Sequence, residues 1–104
     1  MSDIYKVRVA REALNDLWRS FEWGVENWGL ERAKKWFDQM DELIHFRLTA
    51  MPYSNPLAPE TFELDSDVRQ LLAGRYRVLY TIEGGEVLVI RVRGPFSVVS
   101  NENE

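Results

Sequence analysis

Five arginines fall between residues 68 and 93: Arg69, Arg75, Arg77, Arg91 and Arg93, against only Glu83 and Glu86. They alternate with apolar residues on both sides of Gly84-Gly85. Guanidinium groups stay charged at any physiological pH and bind carboxylates and phosphates through paired donors. Successive side chains of a strand point to opposite faces. The spacing therefore predicts a sheet with one apolar side and one arginine side, a surface suited to an anionic partner.

The hairpin register decides which arginines share a face. A two-residue Gly84-Gly85 loop with a continuous ladder pairs Val78 with Arg91 and mixes both faces. A three-residue loop, Gly84-Gly85-Glu86, pairs Val78 with Val92, Tyr80 with Ile90 and Ile82 with Leu88. One face is then wholly apolar, and burial of that face sets the register. The other face holds Arg75, Arg77, Arg91 and Arg93, the candidate binding residues for an anionic partner. Arg77 falls opposite Arg93, and like charges across a ladder repel. An external anion or carboxylate between them is expected, although an internal Asp or Glu would serve as well.

Other chemistry is sparse. His45 is the single histidine and sits at the border of a helical stripe, where a partly buried packing role is expected. Glu60 and Glu63 lie in a Pro-rich loop and are the acids able to reach the arginine face, although a solvated loop is the ordinary reading of both. Trp18, Trp28 and Trp36 fit helical stripes and read as core, while Trp23 lies off the stripe. There is no cysteine, no His/Cys cluster and no acidic triplet at ligand spacing, so neither a metal nor a cofactor is expected. Gly84-Gly85 is a hairpin tip, not a phosphate-cradling loop.

The elements that position these residues follow from periodicity and breakers. Residues 4–9 alternate as a short strand. Leu14, Leu17, Trp18, Phe21, Val25 and Trp28 mark one helical face, ended by Gly29. Leu30, Ala33, Trp36, Phe37, Met40, Leu43, Ile44, Leu48 and Met51 mark a second, ended by Pro52. The short connection predicts two antiparallel helices. A loop with Pro52, Pro56 and Pro59 leads through Glu60, Glu63, Asp65 and Asp67 to strands at 68–72, 75–82 and 87–93. Residues 97–104 read as a flexible acidic tail.

The chain has 104 residues, 45% of them apolar and 12% aromatic, enough for one domain over 1–96 with a compact core. A net charge of −4 argues against broad, non-specific nucleic-acid binding, which rests on Lys/Arg contacts to phosphate. No apolar run approaches the roughly 20 residues of a membrane span. The N-terminal residues lack a signal peptide's apolar centre. A cytoplasmic protein is expected, with no membrane partner.

Three stretches resemble the RelE/ParE superfamily of bacterial type II toxins. They are the order strand, two helices, three strands; the junction Glu26-Asn27-Trp28-Gly29-Leu30-Glu31-Arg32-Ala33; and Arg69-Gln70-Leu71 with Gly74-Arg75-Tyr76-Arg77-Val78-Leu79-Tyr80 and Val89-Ile90-Arg91-Val92-Arg93. The tryptophan-glycine junction is similar to the ParE-like branch. The resemblance implies an α+β fold, β-α-α-β-β-β, with a twisted antiparallel sheet and a two-helix hairpin on one face. It implies a toxin of a plasmid-stabilising module, held in a hetero-oligomer by a cognate antitoxin.

Within the family, ParE-like members poison DNA gyrase and RelE-like members cleave mRNA on the ribosome. Arg77 matches the arginine that contacts the scissile phosphate in RelE-like nucleases, and Arg69 falls near a second basic position, so these two are the catalytic candidates of a nuclease. The nuclease branch often ends this hairpin in a histidine or a basic pair followed by an aromatic residue used in proton transfer. Here that place reads Gly94-Pro95-Phe96. The departure favours a gyrase-binding toxin. The alternatives are a ribosome-dependent mRNA interferase, the only enzyme among the readings, and a non-toxic binding module.

Overall fold

The computed structural model describes residues 4–94. The expected tail at 97–104 lies outside the described residues. Strand β1 (Lys6–Val9) leads into helix α1 (Arg11–Trp28), then helix α2 (Leu30–Ala50), a 3-10 turn (Pro52–Ser54) and a short helix α3 (Glu60–Leu64). Strands β2 (Arg69–Ala73), β3 (Tyr76–Glu83) and β4 (Glu86–Arg93) complete the domain.

Gly29 forms the α1–α2 junction with φ of +99°, a region in which a Cβ is strained. Pro52 closes α2, because it cannot donate to the helix ladder. Both breakers therefore act where the sequence places them. α3, by contrast, was read from sequence as plain loop. It has five residues, none of them buried, so it has no apolar stripe to betray it.

The sheet order is β1-β4-β3-β2. β2, β3 and β4 are antiparallel, as expected. β1 returns through the helical hairpin to lie parallel beside β4, pairing Lys6 with Glu86 through Val9 with Val89, so the sheet is mixed.

The hairpin combines both registers weighed from sequence. The turn is the two-residue Gly84-Gly85, with Glu83 opposite Glu86, and Gly84 takes φ of +62°. Further along, Val78 pairs with Val92 and Arg77 with Arg93, as the three-residue loop required. A β-bulge beside Leu79 and Tyr80 absorbs the extra residue, Ile90. Val87 and Val89 thus face the helices in place of Leu88 and Ile90. Tight turn and buried face are both kept, at the cost of one local kink.

The main core lies between helices and sheet. Leu17, Met40, Ile44 and Leu48 pack there against Leu71, Val78, Tyr80, Val87, Val89 and Val92. Each such side chain stabilises the fold by roughly 1.5–3 kcal/mol relative to exposure. A smaller cluster of Ala58, Val68 and Leu79, with Ile90 against it, lies on the other face beneath the α3 segment. The buried face of α1 is Ala13, Asp16, Leu17 and Gly24, rotated from the stripe read in sequence. Leu14 and Trp18 are consequently 52% and 54% exposed.

Candidate functional site: an arginine pair closed by a carboxylate

Arg77 and Arg93 stand side by side on the outer sheet face, away from α1 and α2. α3 supplies Glu60 between them. Its carboxylate accepts from Arg77 Nη2 at 2.8 Å and Nη1 at 3.2 Å, and Arg93 Nε lies 3.5 Å away. Gln70 Oε1 accepts a further bond from Arg77 Nη1 at 2.8 Å. The carboxylate between the opposed pair is thus internal, the alternative to an external anion, and Glu60 is not the solvated loop residue that the ordinary reading makes it. Glu63 remains exposed.

The Glu60 side chain is only 12% exposed. Its hydrogen bond from Arg77 outweighs the opposing effect of burial and holds its pKa below the ordinary carboxylate value. Arg77 is raised in turn, first through the same bond. The anchors of the α3 segment are local. Thr61 Oγ1 donates to the Val68 carbonyl and accepts from its N–H, both at 2.9 Å, while Ala58 N–H donates to the same carbonyl.

The four arginines expected on one face are divided. Arg91 follows the bulge and turns to the sheet edge, where Asp16 of α1 accepts from its Nε at 2.8 Å and its Nη2 at 3.0 Å. Arg75 lies exposed in the β2–β3 turn. Arg69 pairs with Tyr80 in the ladder, which places it on the helix face, opposite to Arg77. It donates to Asn55 O at 2.6 Å and lies over the Tyr53 ring, 5.1 Å from its centroid. The two nuclease candidates, Arg77 and Arg69, are therefore on different sides of the sheet.

Asp16 was missed in sequence. It accepts from Arg91, Arg19 and the Val92 N–H, the last at 2.9 Å. Burial alone would raise its pKa, but the bonds from Arg91 and Val92 together prevail and lower it. The available signal was an acid at i+3 from Ala13 on a helix otherwise buried along that line. His45 is exposed, not packed, and its Nε2 lies 3.4 Å from Asp41 on the next turn of α2. Trp23 is half-buried against Trp28, with ring centroids 5.4 Å apart.

A helical hairpin laid on one face of a four-stranded mixed sheet is the RelE/ParE-like fold. The sequence matches the family described as ParE toxin of type II toxin–antitoxin system, parDE, over residues 7–94, and the chain belongs to that family. Its fold is similar to a solved chain from the chromosomal ParDE TA system from P. aeruginosa, with a TM-score of 0.72 at 19% identity, covering 89% of this chain and 98% of that one. No curated protein matches the sequence significantly. Among the described residues, no helix is long and apolar enough to cross a membrane.

Proposed function

We propose that the protein is the toxin of a type II toxin–antitoxin module that arrests growth by binding DNA gyrase, and that a cognate antitoxin neutralises it. The observation that carries this reading is the closure of Arg77 and Arg93 on Glu60. Cleavage of RNA through its 2′-hydroxyl needs a base, an acid and positive charge at the phosphate. The charge is here, but Glu60, the carboxylate beside it, is held ionised by Arg77 and is a weak base for that reason. His45 stands on α2, beyond the opposite face of the sheet. Arrest through binding needs none of these groups.

The antitoxin reading rests on two surfaces. Leu14 and Trp18 form an exposed apolar strip on α1, suited to an amphipathic segment. The Arg77–Arg93 pair suits acidic side chains once Glu60 is displaced. Purified protein is expected to inhibit gyrase supercoiling and to lose that effect when the antitoxin is added. Untouched supercoiling together with cutting of ribosome-bound mRNA would overturn the proposal.

The second reading is a ribosome-dependent mRNA interferase in which Arg77, released from Glu60, stabilises the phosphate. In that case Arg77→Ala abolishes cleavage in a translating extract. Harmless overexpression without any antitoxin would instead mark a non-toxic binding module.

A further inference from the structure

Glu60 fills the space between Arg77 and Arg93 incompletely. A carboxylate has two oxygens, and Arg77 uses both. Oε1 accepts from its Nη1 at 3.2 Å and Oε2 from its Nη2 at 2.8 Å. Arg93 Nε lies 3.5 Å from the same Oε2. That nitrogen is buried and makes no hydrogen bond. A buried donor without an acceptor is costly, so the site holds one more donor than its internal acid can serve.

A tetrahedral oxyanion has the missing acceptor. Two of its oxygens can replace the Glu60 carboxylate on Arg77, and a third is left for the Arg93 Nε–H. Guanidinium forks suit phosphate in this bidentate way. With Glu60 turned out, Arg77 and Arg93 carry two positive charges, which match a dianion. Gln70 Oε1 still accepts from Arg77 Nη1 at 2.8 Å and holds that guanidinium in place. The arginines are open to solvent, with side chains 33% and 34% exposed against 12% for Glu60. Exchange needs only a side-chain rotation. Thr61, the next residue, is pinned to Val68 by two hydrogen bonds, so the α3 backbone stays where it is.

We propose that Arg77 and Arg93 form a binding site for a tetrahedral oxyanion of the phosphate class, and that Glu60 is a built-in competitor which occupies it in the free protein. The proposal rests on the reading of this pair as a binding surface and deepens it by naming the ligand and the gate. The site binds without cleaving, so it is compatible with a toxin that acts by association. Any phosphate must displace Glu60 first, and like charge makes the two occupants exclusive. The ligand chemistry has two sources, free inorganic phosphate and the phosphodiester of a nucleic-acid strand.

The Arg93 Nε–H resonance of the full-length chain, observed by NMR, reads the site directly. Inorganic phosphate at constant ionic strength should shift it. Acetate should leave it near its starting position, because a carboxylate only repeats what Glu60 already does. Glu60→Gln keeps the shape and removes the competing charge, so phosphate affinity should rise roughly ten-fold or more. Adding Arg93→Lys to that variant keeps the charge, removes the Nε–H and should abolish the gain. A short oligonucleotide that shifts the resonance at lower concentration than inorganic phosphate identifies a strand as the source, and the reverse order identifies the free anion. An Arg93 resonance unmoved by phosphate in both the parent and Glu60→Gln, an equal shift with acetate, or equal affinity with and without Arg93→Lys would overturn the proposal. The parent titration decides alone if Glu60→Gln does not fold. Gyrase supercoiling is read separately, so failure there leaves a positive phosphate titration standing.

Discussion

Arg77 and Arg93 face each other across β3 and β4, and the Glu60 carboxylate stands between them. Glu60→Gln keeps the shape and removes the charge that offsets the repulsion. A loss of about 1 kcal/mol is expected, kept small because both guanidiniums are a third exposed and screened. Added salt should shrink the deficit. Urea unfolding at low and high ionic strength measures it, and an equal deficit at both would refute the electrostatic account.

Asp16 makes stability depend on acid. Its folded-state pKa is depressed below the ordinary 3.8. Its contribution is therefore complete above that value and is lost as pH falls through the lower, folded-state pKa. Asp16→Asn should flatten this acid limb of the melting-temperature profile. Near neutral pH the variant should be weaker by about 1–3 kcal/mol, because the Val92 N–H and Arg91 lose a charged acceptor. Thermal melts from pH 6 to pH 2 read both effects, and parallel profiles would count against the assignment.

Gly94→Ala should destabilise by about 1–3 kcal/mol through overpacking, since its Cβ falls 2.3 Å from the Tyr76 ring. Tyr76→Leu in the same chain should recover part of the loss by removing the obstructing ring edge. Failure of the pair to couple in a double-mutant cycle would place the cost elsewhere.

Trp18 gives a test on function. It is 54% exposed, stacked on Phe21 at 5.2 Å. Trp18→Ser should change folding stability by no more than about 1 kcal/mol. Antitoxin affinity should drop roughly ten-fold or more if the strip on α1 is an anchor of the complex. Calorimetric titration of the two purified proteins measures it, and unchanged affinity would move the interface off this strip.

The order of elements was legible because its signals are local. Gly29 and Pro52 break helices wherever they stand, and alternation marks strands without knowledge of neighbours. Glu60 was half legible, since the opposed pair Arg77 and Arg93 called for an anion, external or internal, and the loop offered two acids whose ordinary reading was solvated. The division of the arginines was not. It depends on the bulge at Ile90, which a continuous paper ladder does not allow, and on Asp16. An acid on the inner side of α1 looks misplaced until one knows that β1 stops at Val9 and leaves the outer edge of β4 at Val92 without a strand beside it. The exposure of Leu14 and Trp18 has the same origin, because α1 turns inward the side that carries Asp16.

The Asp16 contact also bears on how the molecule avoids its own copies. Beyond Val89, β4 has lost its β1 neighbour, and its amides would offer a template to another chain's strand. Bare edges of that kind seed intermolecular sheets. Asp16 takes the Val92 N–H and, paired with Arg91 and Arg19, sets an ion-paired cluster at the opening. One side chain of a helix thus occupies a donor that the open edge would otherwise offer to another strand.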